Sequence, residues 1–402
     1  MSIPFSAITR RAEAGEKQIV DLLLDLIRIP SFSGRERAVV ERIAAEMKKL
    51  GYADVRLDGL GNVIGRIGSG PRLIAFDAHV DTVYPGDRSQ WSHDPFQPRL
   101  ADGKIWGRGA ADQKAGLACM IVAGRIIEEL NLNKEFTLLF VGSVQEEDCE
   151  GLCWKYLVEE EKIRPELVVS TEPTSLDIYR GQRGRMEIEI AVKGRSCHGS
   201  APERGDNAAY RASRIALEIE KLNERLRRDD FLGKGTVTVT RIASDSPSLC
   251  AVPDSSFLHL DRRLTMGETS ESAQAEVREA ARLAGCAEAH VGVPEYREAS
   301  HTGLVYPVPR YFPTWVVVEN SPWLQAAEAA YRGLFGRPAR VDKWTFSTNG
   351  VGITPVYGIP CIGLGPGNEP QAHAADEFCP VEHLAPAAAF YAGLVAQLNG
   401  GR

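Results

Sequence analysis

The stretch Leu73-Ile-Ala-Phe-Asp-Ala-His-Val-Asp-Thr-Val83 decides the fold. Its run from Leu73 to Phe76 is apolar without alternation, which predicts a buried strand of the kind found in parallel sheets covered by helices. The strand then ends in a polar His-x-Asp pair. Residues two apart in a strand share a face, so His79 and Asp81 point the same way from its tip. An imidazole beside a carboxylate suits a metal ligand with its orienting partner. One such pair is a weak signal. It gains weight because further acids and a histidine stand in similar places downstream.

In Trp106-Gly-Arg-Gly-Ala-Ala-Asp-Gln-Lys-Ala-Gly116 the glycines permit tight turning. Asp112 falls at a loop-to-helix junction, where a carboxylate can also be a plain helix cap. The apolar strand Phe136 to Val144 runs directly into Gln145-Glu-Glu-Asp148. Two adjacent glutamates, Glu146 and Glu147, repel at a buried strand end unless protonation or a cation relieves them, and the alternative is a solvated acidic loop. Leu167 to Ser170 reads as another short strand, ended by Thr171-Glu172-Pro173. His373 follows the glycine-rich turn Gly363-Leu-Gly-Pro-Gly367, just beyond a strand through Ile362. Sites in α/β sheets lie outside the carboxyl ends of the strands, which is where these side chains gather.

A chain of 402 residues exceeds one ordinary core and predicts two domains, one inserted in the other. Apolar content of 44% is that of a globular protein. A net charge of −7 without a basic stripe argues against nucleic-acid binding. The start Met1-Ser-Ile-Pro-Phe5 lacks the pattern of a secretory signal, and runs such as Phe136 to Val144 are too short to span a bilayer. The expectation is a cytoplasmic protein with no membrane partner, whose eight scattered cysteines are reduced thiols. Cys149 and Cys153 are expected to pack a helix, not to bind metal.

Along the chain, residues 18–28 repeat apolar positions at helical spacing until Pro30. Ser33-Gly-Arg-Glu36 has the form of a capping box for a helix that Gly51 closes. From residue 182 the pattern becomes β-α-β-β-α-β, which predicts a ferredoxin-like sandwich over 182–299. Within it His198 lies in a loop of small residues, Ser-Cys-His-Gly-Ser-Ala-Pro, where a satisfied surface histidine is the plain alternative. After residue 300 the α/β pattern resumes, with helices at 321–335 and, amphipathic, at 383–398.

Taken together, His-x-Asp, Gly-x-Gly-x-x-Asp, Glu-Glu, Glu-Pro, a histidine in the inserted segment and a terminal histidine resemble the M20 family of dinuclear zinc metallopeptidases and amidohydrolases. That group includes aminoacylases, carboxypeptidase G-like enzymes and succinyl-diaminopimelate desuccinylase. Ser248-Leu-Cys-Ala-Val-Pro253 and Leu260-Asp-Arg-Arg-Leu264 look most like the branch called selenium-metabolism hydrolases. The resemblance covers nearly the whole chain. It implies an α/β fold, namely a mixed-sheet zinc-peptidase catalytic domain (1–181 and 300–402) with an inserted ferredoxin-like α+β lid/dimerisation domain (182–299).

The resemblance also implies two Zn²⁺ ions per chain, with Co²⁺ or Mn²⁺ as substitutes. Asp112 would bridge them, with His79 and Glu172 on one ion and Glu147 and His373 on the other. Asp81 would orient His79, Glu146 would be the general base, and the peptide bond Asp112-Gln113 would be cis. His198 would reach a partner's site across a homodimer formed through the inserted domain. Arg183 and Arg263 would grip a substrate carboxylate. Two departures stand on the substrate side: Cys250 where relatives often carry asparagine, and Asn349 where aspartate is frequent. Asn349 is counted with the substrate-binding residues. Glu172 is what aminoacylases and carboxypeptidase-like members carry, so the expected substrate is an N-acyl amino acid or short peptide with a free carboxylate. The alternatives are a ureide or carbamoyl amidohydrolase of the same superfamily, and a metal-free binding protein without activity.

Overall fold

The computed structural model describes residues 4–400. The chain forms two compact units: one takes in the chain up to Gly181, Arg297–Tyr306 and everything from Val316; the other holds Gln182–Tyr296 and Pro307–Trp315. The return of 307–315 to the second unit departs from the single insertion expected over 182–299. Its cause is visible: Tyr311–Phe312 pairs as a strand with Met186 and Arg185.

In the first unit a mixed sheet runs in the order Asp54–Leu57, Val63–Ile67, Phe136–Ser143, Arg72–His79, Leu167–Ser170, Cys361–Gly363 and Ile178–Gln182. The four strands from Phe136–Ser143 to Cys361–Gly363 are parallel, as the unbroken apolar runs predict. Their register does the positioning. His79 lies opposite Ser143 and Asp77 opposite Ser170, so the tips that continue into Glu146-Glu147 and Glu172 emerge beside His79.

Helices Phe5–Ile27, Lys114–Glu129 and Leu384–Gly400 pack together, and Pro322–Phe335 packs on the last. Leu384–Gly400 is not amphipathic as its sequence suggested. It is buried almost all round from Leu384 to Ala396, because neighbouring helices cover it on several sides. Under this layer Phe76 and Phe140 stack with centroids 5.0 Å apart, and truncating either to alanine should cost about 3–5 kcal/mol. No helix among the described residues is long and apolar enough to cross a membrane.

The second unit has the expected β-α-β-β-α-β order. Strands Thr236–Asp245, Ser255–Leu264, Gly184–Lys193 and His290–Gly292 pair antiparallel in that spatial order. Strict alternation of buried and less buried residues in Gly184–Lys193 and Ser255–Leu264 sets their register, since a one-residue slip would expose the apolar face. That face, with Ile188, Ile190, Leu258 and Leu260, buries Ile215, Ile219 and Val277 of helices Ala208–Arg225 and Ser270–Leu283. Asn207 caps the first of these helices, and a Thr269–Ser272 capping box starts the second.

Candidate metal centre

His79 ends its strand with its side chain 1% exposed. Nε2 lies 2.9 Å from Asp112 Oδ1, 3.8 Å from Glu172 Oε1 and 4.0 Å from Glu146 Oε2. On the other side of the same carboxylate, Asp112 Oδ2 is 3.5 Å from His373 Nε2, which is also 2.9 Å from Glu147 Oε2. Two groups result, His79–Asp112–Glu172 and Asp112–Glu147–His373, each with ligand atoms close enough to hold one cation. Asp112 belongs to both. The first group is wholly buried, whereas in the second His373 is 57% exposed.

The loop bearing Asp112 is shaped by its glycines. Gly109 has φ +85°, and a Cβ there would meet Thr82 at 2.9 Å, so only glycine fits. The Asp112-Gln113 peptide bond is cis, and the helix begins only at Lys114 without a side-chain cap, so Asp112 is not acting as a helix cap. Glu172 is backed by Gly365, where a Cβ would come within 2.2 Å of the Glu172 carbonyl.

Asp81 works differently from expectation. His79 Nδ1 bonds the backbone carbonyl of Asp81 at 2.8 Å, while the Asp81 carboxylate stands 3.6 Å away. That carboxylate accepts the backbone N–H of Glu146 (3.2 Å) and Glu147 (3.0 Å) and the Ser33 hydroxyl (2.7 Å). Its task is therefore to hold the turn that carries the two glutamates. The capping box read at Ser33–Glu36 does not form for the same reason. Ser33 is drawn to Asp81, Glu36 Oε1 accepts from Gly34 and Gln145, and the helix starts at Arg37 with no side-chain cap.

Asn349 is a second correction. Its amide donates to Asp77 Oδ2 and Ser143 Oγ, both at 3.0 Å, and its oxygen accepts from Gly151 N–H at 2.9 Å and the Cys153 thiol at 3.2 Å. The side chain is 2% exposed and its hydrogen-bonding capacity is used inside the protein, so it stitches strands and does not face a substrate.

The electrostatics describe a site short of positive charge. Burial pushes Glu146 and Glu172 well above the usual carboxylate range; His79 pulls both back, and neighbouring acids add to the rise. Burial, with Asp112 beside it, raises Glu147 to about 7. Burial opposes a proton on His79, yet the Asp112 hydrogen bond with Glu172 and Glu146 outweighs it and raises that pKa well above the usual value. Glu146 Oε1 and Glu172 Oε2 are buried with no hydrogen-bond partner. Orphaned carboxylate oxygens converging with two imidazoles fit divalent cations, which would satisfy the oxygens and remove the repulsion.

Glu377 and Arg108 form a buried ion pair of 2.7 Å that sequence reasoning passed over. Glu377 also accepts backbone N–H groups of Gly109, Ala111 and Asp112. The available signal was an acid four residues after His373, directly before the apolar Phe378-Cys379.

The second unit carries the remaining expected residues. His198 is exposed, and its Nδ1 accepts the Ser200 backbone N–H at 3.1 Å, which leaves the ring proton on Nε2. Its loop is zipped to the one bearing Cys250 by Gly199 N–H to the Cys250 carbonyl at 2.7 Å. Arg183 donates to the Lys234 carbonyl at 2.9 Å, and Arg263 is forked onto Asp261 at 2.7 and 3.2 Å. All eight cysteines are free thiols; Cys149 and Cys153 are buried, the latter within helix Leu152–Glu159.

The sequence pattern of peptidase family M20/M25/M40 matches residues 75–397. The uncharacterized protein YgeY of Escherichia coli (strain K12) is 52% identical over 393 residues, 98% of this chain and 97% of YgeY. Succinyl-diaminopimelate desuccinylase of Bordetella avium (strain 197N) is 27% identical over 278 residues, 65% of this chain and 72% of that enzyme. Aminopeptidase PepT of Bacillus cereus ATCC 10987 shares the fold, with a TM-score of 0.73 at 22% identity across 96% of this chain and 99% of PepT.

Proposed function

Since the chain belongs to peptidase family M20/M25/M40 and is a hydrolase, we propose that it cleaves the amide bond of an N-acyl amino acid or short peptide with a free carboxylate. One observation carries the reading: a single carboxylate, Asp112, turns one oxygen to His79 and the other to His373, with orphaned buried acids beside it. His79, Asp112 and Glu172 would hold one zinc ion, and Asp112, Glu147 and His373 a second. When bound, such cations polarise a carbonyl and acidify water.

The chain's own residues do the rest. Glu146, placed beside the cluster with an unpartnered Oε1, takes the proton of the attacking water and returns it to the leaving nitrogen. Asp81 and Ser33 fix the turn that aims it. His198, with its proton on Nε2, donates across the homodimer to the carbonyl oxygen in the partner's site as charge builds there. Arg183 and Arg263 supply positive charge for a substrate carboxylate, with Asp261 competing for Arg263. A homodimer through the second unit is supported by the edge strand Thr236–Asp245, where Ile242 is 51% exposed. Free cysteines throughout support a cytoplasmic location.

The test is a panel of N-acyl amino acids and dipeptides on zinc- and cobalt-loaded protein, scoring free amine and ammonia separately. Amine release that chelation abolishes and metal restores is the expected result. Ammonia as the main product would point to a ureide or carbamoyl substrate, and no turnover with less than one ion bound would overturn the enzyme reading.

A further inference from the structure

The two cation groups are held in different ways, and the difference assigns a task to Glu377. In the buried group, His79 and Glu172 sit at or just beyond the tips of adjacent parallel strands, and Thr171 N–H bonds the Asp77 carbonyl at 3.0 Å. Sheet pairing itself fixes their separation. In the exposed group only Glu147 follows a strand tip, that of Phe136–Ser143, and no strand pairing sets its separation from the other two ligands. Asp112 lies on a glycine-rich loop, and His373 on a turn whose residues His373 and Asp376 both take left-handed backbone, with φ of +61° and +52°. Such conformations are uncommon for residues with a Cβ and need support from outside the turn.

Resting on the dinuclear reading above, we propose that Glu377 is the positioning residue that keeps the Asp112 loop and the His373 turn at cation-binding distance. One carboxylate spans the gap. Its Oε2 takes Arg108 Nη1 at 2.7 Å and the Gly109 N–H at 2.9 Å; its Oε1 takes the Ala111 and Asp112 N–H groups at 2.8 and 3.0 Å. Arg108 closes the circuit by donating from Nη2 to the His373 carbonyl at 3.4 Å. The Gly107 N–H adds a bond to the Glu377 carbonyl at 2.9 Å. Glu377 and Arg108 are 0% and 2% exposed, so water does not replace these bonds. Charge-assisted bonds to several N–H groups also stiffen a loop more than neutral ones. Glu377 touches neither ligand's side chain, and acts only through where it holds them.

The consequence is selective. Substituting Glu377 should loosen the exposed ion more than the buried one. The exposed group loses the tie on both Asp112 and His373, whereas in the buried group only Asp112 is affected and His79 and Glu172 stay fixed by the sheet. Partners outside the ligand shell typically govern 10- to 100-fold of metal affinity. The experiment compares parent, Glu377→Gln and His373→Ala as full-length chains, by metal analysis after dialysis and by competition with a zinc chelator. The parent should bind two ions. Glu377→Gln should match His373→Ala, with the weaker affinity down at least about 10-fold and the tighter one within about 3-fold. General loss of structure would weaken both ions together, which distinguishes it.

If Glu377→Gln fails to fold, Arg108→Lys decides by the same criteria. Two ions bound with unmoved affinities, or an equal loss of both, would overturn the inference and leave the dinuclear reading standing. A parent that binds fewer than two ions would overturn both.

Discussion

The buried cation group and the exposed one share Asp112 and little else. His79 and Glu172 inherit their places from parallel strand pairing, so the hydrophobic core that stabilises the sheet also sets their geometry. Glu147 and His373 stand on turns held by buried carboxylates: Asp81 under Glu146-Glu147, and Glu377 beside His373. The lesson is that the proposed two-ion site would have one half as stable as the fold and one half as stable as a few hydrogen bonds. The exposed ion should leave and exchange first.

The comparison breaks most completely at the residue both halves use. Asp112→Ala should empty both positions and lower kcat/KM by about four orders of magnitude, equivalent to about 5.5 kcal/mol. Metal analysis and steady-state rates on the same preparation check it, and a variant that keeps both ions would deny the bridge.

Removing a proton carrier should leave the metals alone. Glu146→Gln is expected to retain the parent's metal content while kcat falls about 10²- to 10⁴-fold. His198→Ala should do the same at about 10²-fold. Turnover at the parent's rate in either variant would discard that residue's role.

Without metal, pH should reveal which acids are crowded. Glu147 sits at about 7 and Glu36 at about 8, against an ordinary 4.5, chiefly because both are buried. The folded chain therefore holds these protons more tightly than the unfolded chain. Their stabilising contribution is complete below about pH 4.5 and is lost as pH rises through about 7 to 8. Metal-free protein should melt at falling temperature over that window, and Glu36→Gln should lessen the fall. Zinc should flatten or reverse it, since binding favours the ionised carboxylates and releases protons. A melting temperature that rises with pH in the metal-free protein would contradict this assignment.

The smallest effect on catalysis belongs to Asn349. Asn349→Ala leaves buried partners such as Asp77 Oδ2 unsatisfied, which should cost about 1–3 kcal/mol each, while KM stays within about twofold. Thermal unfolding and KM measured together decide it. An unchanged melting temperature with a raised KM would restore a substrate-facing role.

The residues that gather in the two candidate cation groups were legible in sequence because His79, Glu147 and Glu172 follow apolar strands, and Asp112 and His373 follow glycine-rich turns. Those arrangements leave a period and a punctuation that one chain displays by itself. The ferredoxin-like order of the second unit was legible for the same reason. What was misread depends on partners far away in the chain. Ser33 looked like a helix cap until Asp81, 48 residues on, took its hydroxyl. Asn349 was assigned to substrate, although its partners are Asp77 and Ser143 on the sheet. Glu377 was passed over because it binds mostly backbone N–H groups, which every residue but proline owns and which therefore leave no trace in sequence.

The most direct measurement is anomalous diffraction at the zinc edge from crystals of the zinc-loaded protein. The account predicts two peaks, one beside His79 and one beside His373, each within about 2.2 Å of an Asp112 carboxylate oxygen. A single peak, or two of which either lies beyond bonding distance of Asp112, would contradict it.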